Sequence, residues 1–360
     1  MDILIKTGVF MFNRLILSSM LLSGALYGVN LAAVKAESSN QQVRSPAELA
    51  KDLDSIEIDF QLAKEMFIPW YTGPLITGGA INMPMGKVNL QPYVYFTVNH
   101  AAYDGNRHSV NIPNMYVINP LMSISAGITH WLDVGVSSQG YFAWQDGHSG
   151  QALGDIPINF GFQIYKETPY IPNFRIIIGE KFPVGAYNEL DPKKYGLDIG
   201  GGGVYVTQIG LNISKVFWAV PLHPMSLRLA TLYTQPNGKA HVKGLNTYGG
   251  ASDTDGKVTV GTSFSADLGF EVSLNQQWVV ATDIAYTASA KSTFNGYTGL
   301  NATGDPAVVG FPSSDQLSLS PSIEYNINSS SGLFGVLWFS VTGRNSFNFA
   351  SLVMSYTKTF

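Results

Sequence analysis

The feature that most constrains this chain is a two-residue alternation sustained well beyond the length of an ordinary strand. From Val260 to Leu274 the even positions carry Val260, Thr262, Phe264, Ala266, Leu268, Phe270, Val272 and Leu274, while the odd ones are Gly, Ser, Asp or Glu. From Gln316 to Ile327, Leu317, Leu319, Pro321, Ile323, Tyr325 and Ile327 alternate with Gln316, Ser318, Ser320, Ser322, Glu324 and Asn326. The same pattern runs from Trp278 to Ala288 and from Ile156 to Tyr165. Average strands are about 5–6 residues long. Alternation over ten residues or more suits a tilted strand crossing a bilayer, with its apolar side to lipid and its polar side to a lumen.

Composition decides between that reading and a soluble β-sandwich, whose strands also alternate. Charged residues make up 13% of the 360 residues, against about 25% in soluble domains. Tyr (18), Phe (20) and Trp (6) are abundant. A net charge of −4 without any Lys/Arg cluster argues against a nucleic-acid partner. There is no Cys, which excludes disulfides and thiol chemistry. After the first 35 residues no apolar run approaches the roughly 20 residues of a membrane helix.

About twelve alternating segments can be read, near 90–99, 115–127, 132–143, 153–166, 173–184, 202–217, 224–235, 258–274, 277–290, 314–328, 332–344 and 346–360. Their joins alternate between short (128–131, 167–172, 219–223, 275–276, 329–331) and mostly long (100–114, 144–152, 185–201, 236–257, 291–313). Bacterial barrels have an even strand number, short periplasmic turns and longer external loops. The expected fold is therefore all-β: a transmembrane antiparallel up-and-down barrel of about twelve strands over 90–360, in the outer membrane, with both ends in the periplasm.

The segment before the barrel divides in two. Met11-Phe12-Asn13-Arg14, an apolar stretch from Leu15 to Leu22 and then small residues read as a secretory signal over 1–36. Val34-Lys35-Ala36 is one candidate cleavage site and Leu31-Ala32-Ala33 another. Residues 37–89 open with Ser45-Pro46-Ala47-Glu48, a helix-start pattern that predicts a short helix to about Leu53. A Gly/Pro-rich stretch to Gly86 follows. This part is either a periplasmic arm or a plug in the lumen.

The last strand ends on Phe360, with Leu352, Met354 and Tyr356 at the same parity toward lipid. A C-terminal Phe on such a strand resembles the signal read by the barrel-assembly machinery, which makes that machinery and outer-membrane lipid expected partners. Lys358 departs from the usual apolar residue there, but it can snorkel to the interface.

Three stretches carry a family resemblance: Gly127-Ile128-Thr129-His130-Trp131-Leu132-Asp133-Val134-Gly135-Val136, Leu153-Gly154-Asp155-Ile156-Pro157-Ile158 and Gly179-Glu180-Lys181-Phe182-Pro183-Val184-Gly185. In order and spacing they resemble the outer-membrane barrel family of phenol-degradation meta-pathway transporters, best over 115–220. His130 and Val184 depart from that family's pattern. The resemblance implies uptake or efflux of a small, hydrophobic or aromatic solute, and supplies no site residues to carry over.

By parity the lumen-facing charges include Asp133, Asp155, Arg228, Asp267, Glu271, Asp283 and Glu324. Arg228, Glu271 and Glu324 fall at a similar height, so Arg228 is expected to pair with Glu271. The set reads as a constriction selecting solutes or as a network bracing a narrow lumen. Two other classes compete with a channel. A lipid hydrolase needs a Ser–His pair; His108-Ser109 and His148-Ser149 fall in expected loops, and Phe294-Asn295-Gly296 is the nearest match to a Ser-Asn-Gly element. A structural or adhesive barrel would act through loops such as 236–257, whose Gly249-Gly250-Ala251-Ser252 suggests mobility. Neither the six His nor Gly200–Gly203 has metal-ligand or phosphate-loop spacing, so no cofactor and no metal is expected.

Overall fold

The computed structural model of the chain describes Ala47, residues 50–58, Gly73, residues 75–220 and residues 223–360. The expected signal over 1–36 and the helix start at Ser45-Pro46 lie outside the described residues. Residues 50–58 are helical, so the helix continues past Leu53, the expected end; it belongs to a unit ending at Gln61. The second unit, Leu62–Phe360, holds the barrel.

Among the described residues, sixteen strands lie along this unit. They are β1 (Val88–Tyr103), β2 (Ser109–Gly127), β3 (Leu132–Gln145), β4 (His148–Leu153), β5 (Ile156–Tyr165), β6 (Asn173–Phe182), β7 (Tyr205–Val220) and β8 (His223–Asn237). The rest are β9 (Ala240–Lys243), β10 (Asp255–Thr259), β11 (Ser263–Ser273), β12 (Trp278–Ser289), β13 (Thr293–Tyr297), β14 (Ser314–Asn328), β15 (Ser331–Arg344) and β16 (Ser346–Thr359). Four of these (β4, β9, β10 and β13) decorate the loops. The other twelve form a closed antiparallel barrel in the order β2-β1-β16-β15-β14-β12-β11-β8-β7-β6-β5-β3, with β3 returning to β2. All twelve segments read from the sequence are barrel strands.

Closure is by β1 against β16, in register from Asn89↔Thr359 to Tyr103↔Ser346 with one shift at Asn99/Ala101. The chain's last residue belongs to this seam: Phe360 N–H donates to Val88 O at 2.9 Å, and Val88 N–H donates to Phe360 O at 3.4 Å. A closed barrel leaves no unpaired strand edge, the condition for crossing lipid with strands. The outward face bears an aliphatic band with exposed Ile178, Leu229, Ile284, Ile323, Leu337 and Leu352. Exposed aromatics gather near both ends of the strands: Trp131, Tyr165 and Tyr356 toward the turns, Tyr116, Trp144 and Tyr205 toward the loops. An apolar band between two aromatic girdles is the surface pattern of membrane barrels.

One barrel end carries the short turns and both chain ends of the barrel; the other carries the loops. Two loops differ from expectation. Instead of a loop over 100–114, β1 and β2 stay paired to Tyr103↔Ser109. The turn is fixed by Asp104, whose carboxylate accepts from the N–H groups of Asn106 (2.7 Å) and His108 (2.9 Å). The 236–257 loop is ordered by its own sheet, β13-β10-β9. Val204, Val206, Ala240, Val242, Tyr248 and Val258 form an apolar core beneath it. Tyr248 is buried, its ring held by Phe311 at 5.8 Å and its hydroxyl donating to Gly202 O. The glycines after it are turn residues at positive φ, Gly249 at 102° and Gly250 at 92°.

Candidate functional site in the lumen

Inward parity brings two kinds of wall together. From β12 round to β3 the inner face is polar. On β1, β15 and β16 a cluster of rings and valines sits among polar residues. A non-strand segment, residues 75–86, is hydrogen-bonded to the polar wall and packs Leu75 on that cluster.

On the polar side the segment is attached at several strands. Asp283 on β12 accepts from Ile76 N–H (3.1 Å), Thr77 N–H (3.1 Å), Thr77 Oγ1 (2.6 Å) and Ser320 Oγ (2.8 Å). Asn212 on β7 donates to Gly79 O at 2.9 Å. Gln163 on β5 accepts from Asn82 N–H (2.8 Å) and donates to Ala80 O (2.9 Å). Asp133 on β3 accepts from Met83 N–H at 2.8 Å and from Arg175 Nη2 at 2.6 Å. Hydrogen bonds with an ionised partner contribute about 1.5–3 kcal/mol each, so the two carboxylates dominate the attachment. Glycine permits the closest approach: a Cβ on Gly127 would sit 2.1 Å from Pro84 O.

The apolar side carries a run of ring contacts. Phe334 meets Tyr93 edge-on at 5.7 Å, Tyr93 stacks with Tyr95 at 6.1 Å, Tyr95 meets Trp338 at 6.4 Å, and Trp338 meets Phe349 at 4.8 Å. Val336 and Val353 fill the gaps, and Leu75 of the inner segment packs against the same cluster. Trp338 is held by its indole N–H, which donates to Ser318 Oγ at 3.0 Å. A cavity of about 380 Å³ opens beside Trp338 and Phe349, reaching Thr97, Asn99 and Asp315 at the loop end. A second, of about 430 Å³, lies at the turn end, with polar lining that includes Asn89, Ser226, Arg228 and Asn326.

Six of the seven residues expected in the lumen face it. Glu271 is fully buried and takes a bidentate pair from Arg228, Nε–Oε2 2.7 Å and Nη2–Oε1 3.0 Å. Glu324 is also fully buried. Across β12 it pairs in register with Val279, one step from Ala281, the partner of Glu271, which puts the two carboxylates near one height. Asp267 lies two steps further along, opposite Ala285. Asp133 and Asp283 instead hold the inner segment. Asp155 precedes β5 rather than lying in it, and shares a cavity at the loop end with Gln139 and Tyr141 of β3. Its carboxylate accepts from Gly185 N–H (3.0 Å) and Gly202 N–H (2.9 Å), stapling the 183–204 loop to the wall.

The sequence reading passed over Arg175, although it shares the odd, inward parity of Asn173, Ile177, Gly179 and Lys181 on β6, the signal that identified the other charges. The Ser–His neighbours weighed for a hydrolase show no Ser–His hydrogen bond among the described residues. His108 pairs with Asp104 at 3.4 Å while Ser109 Oγ accepts from Asn348, and the His148 ring packs on Tyr195 at 4.1 Å.

No protein-family model and no curated protein sequence matches the chain. Solved structures share its fold. An outer membrane channel from Pseudomonas putida F1 is 14% identical, with a TM-score of 0.60 over 79% of this chain and all of that one. The NanC porin is 8% identical (TM-score 0.42; 75% of this chain, 98% of that one). The CymD monoaromatic hydrocarbon channel is 13% identical (TM-score 0.33; 77% and 89%). The fold is that of an outer-membrane β-barrel. At these identities the likeness extends to architecture only, so function has to be argued from the lumen.

Proposed function

We propose that the protein is an outer-membrane channel for small apolar or ring-bearing molecules, which move along the aromatic wall past the inner segment. The observation that carries this reading is the unbroken run of ring contacts from Phe334 to Phe349, facing inward where a structural barrel needs no such surface. Aromatic pairs contribute about 0.5–1.5 kcal/mol beyond area burial, enough to favour a ring and weak enough to let it move on. Leu75 occupies part of the run, so passage requires it to yield. On this reading Arg228–Glu271, Glu324 and Asp267 form a charged belt beside the route. The narrowness of a twelve-stranded lumen makes this belt both a brace and a filter.

The test is uptake of radiolabelled phenylalanine and alanine into vesicles containing the purified protein. Phenylalanine should enter faster than alanine relative to protein-free vesicles. Trp338→Ala should reduce that preference by roughly twofold to tenfold, the equivalent of one aromatic contact. Vesicles with protein that take up neither solute faster than bare lipid would refute the channel reading.

A further inference from the structure

Outside the route just described, a third cavity of about 350 Å³ lies at the loop end, lined by Gln139, Tyr141, Asp155, Lys181, Ile199 and the 200–202 backbone. We propose that it is a receptor site for the carboxylate of a small organic acid, held by Lys181, Tyr141 and Gln139. This rests on the channel reading only in taking the cavity as the solute's first stop.

Arg175 is bound to Asp133 at 2.6 Å and Arg228 to Glu271 at 2.7 Å, so each is matched by a carboxylate of the wall itself. Lys181 has the same inward parity on β6 as Arg175, yet it forms no ion pair among the described residues. An ammonium carries three donors and no acceptor. The carboxylate that shares its cavity is Asp155, and each of its oxygens already accepts from a backbone amide, Gly185 N–H at 3.0 Å and Gly202 N–H at 2.9 Å. The loop glycines enforce this: a Cβ on Gly201 would lie 2.4 Å from Asp155 Oδ1. Tyr141 and Gln139 stand on the same inward row of β3 and present a hydroxyl and an amide to the cavity, with no hydrogen bond from either side chain among the described residues. Lys181, Tyr141 and Gln139 therefore line one half-exposed space, and none of the three side chains has a protein partner among the described residues. A bound carboxylate could accept from all three, replacing water. Ile199 offers an apolar contact for the acid's body.

Benzoate and benzyl alcohol, equal in ring and different in charge, are the probes. Binding of each to the full chain in lipid nanodiscs is measured by calorimetry. Benzoate should bind saturably. Lys181→Met should weaken it by about tenfold or more, as expected for loss of a charge-assisted hydrogen bond, whereas Lys181→Arg should restore it and benzyl alcohol should be indifferent to both. Lys181→Gln serves if the Met variant does not insert. Wild-type protein without saturable benzoate binding, or a neutral variant that binds it equally well, would overturn the proposal. This measurement is independent of flux, so failure of the phenylalanine assay would count against the channel and not against the site.

Discussion

Arg228 and Glu271 act as one unit in the wall: their side chains are 13% and 0% exposed, and the two bonds of the pair are parallel. Removing one member of a buried pair leaves the other uncompensated, at a cost of about 3–5 kcal/mol, while replacing both by apolar groups is often neutral. Arg228→Ala should therefore lower the unfolding midpoint in detergent sharply. Arg228→Met combined with Glu271→Leu should recover most of the loss. Equal loss in the single and double variants would mean that packing, and not charge, holds this site. Arg228→Ala should also shift reversal potential toward cations, since it removes a positive charge beside Glu271. The pair was legible in the sequence because parity and distance from the strand ends place both residues. The aromatic wall was not: Tyr93 and Tyr95 alternate with Val94 and Phe96, and Phe334, Val336 and Trp338 with Leu333, Leu337 and Phe339, so both faces are apolar and parity cannot separate lumen from lipid.

Among the elements, the segment 75–86 and the loop 183–204 show what alternation cannot reveal. Neither has a periodic pattern, because each is positioned by wall side chains rather than by a ladder of its own. The first is seated at Gly127, whose N–H donates to Lys87 O and whose carbonyl accepts from Gly86 N–H, both at 3.0 Å. Gly127→Ala should unseat it, giving higher conductance with the barrel intact by its heat-resistant mobility on gels; unchanged conductance would place the seat elsewhere. The loop is held by Asp155. Asp155→Ala leaves two amides without their acceptor, at about 1–3 kcal/mol each, and should make residues 183–204 sensitive to added protease on intact cells. Resistance equal to the parent would show that the staple is dispensable. The strands, by contrast, were readable nearly to their ends, since a bilayer demands long unbroken alternation. The largest departures are at β1 and β2, which continue as a hairpin beyond the expected span, and at β11, which starts at Ser263 rather than at 258.

For the molecule as one body, the proposed channel has the barrel and its aromatic wall as the conduit and the inner segment as its obstruction. Orientation follows from the short turns: a tag at Gly304, which has open space around its Cα, should be reachable on intact cells, and a tag at Ser330 only after the envelope is breached. The opposite pattern would invert the barrel. Obstruction of the channel by residues 75–86 is read out by single-channel recording of the full chain against Asp283→Ala in planar bilayers. Asp283 supplies the acceptor for two backbone N–H groups and the Thr77 hydroxyl of the segment. Each bond to an ionised acceptor contributes about 1.5–3 kcal/mol, so losing them should raise open probability by about tenfold or more. The predicted result is brief, rare openings for the parent chain and sustained ones for the variant. Identical traces for the two, or no current from either, would contradict the account.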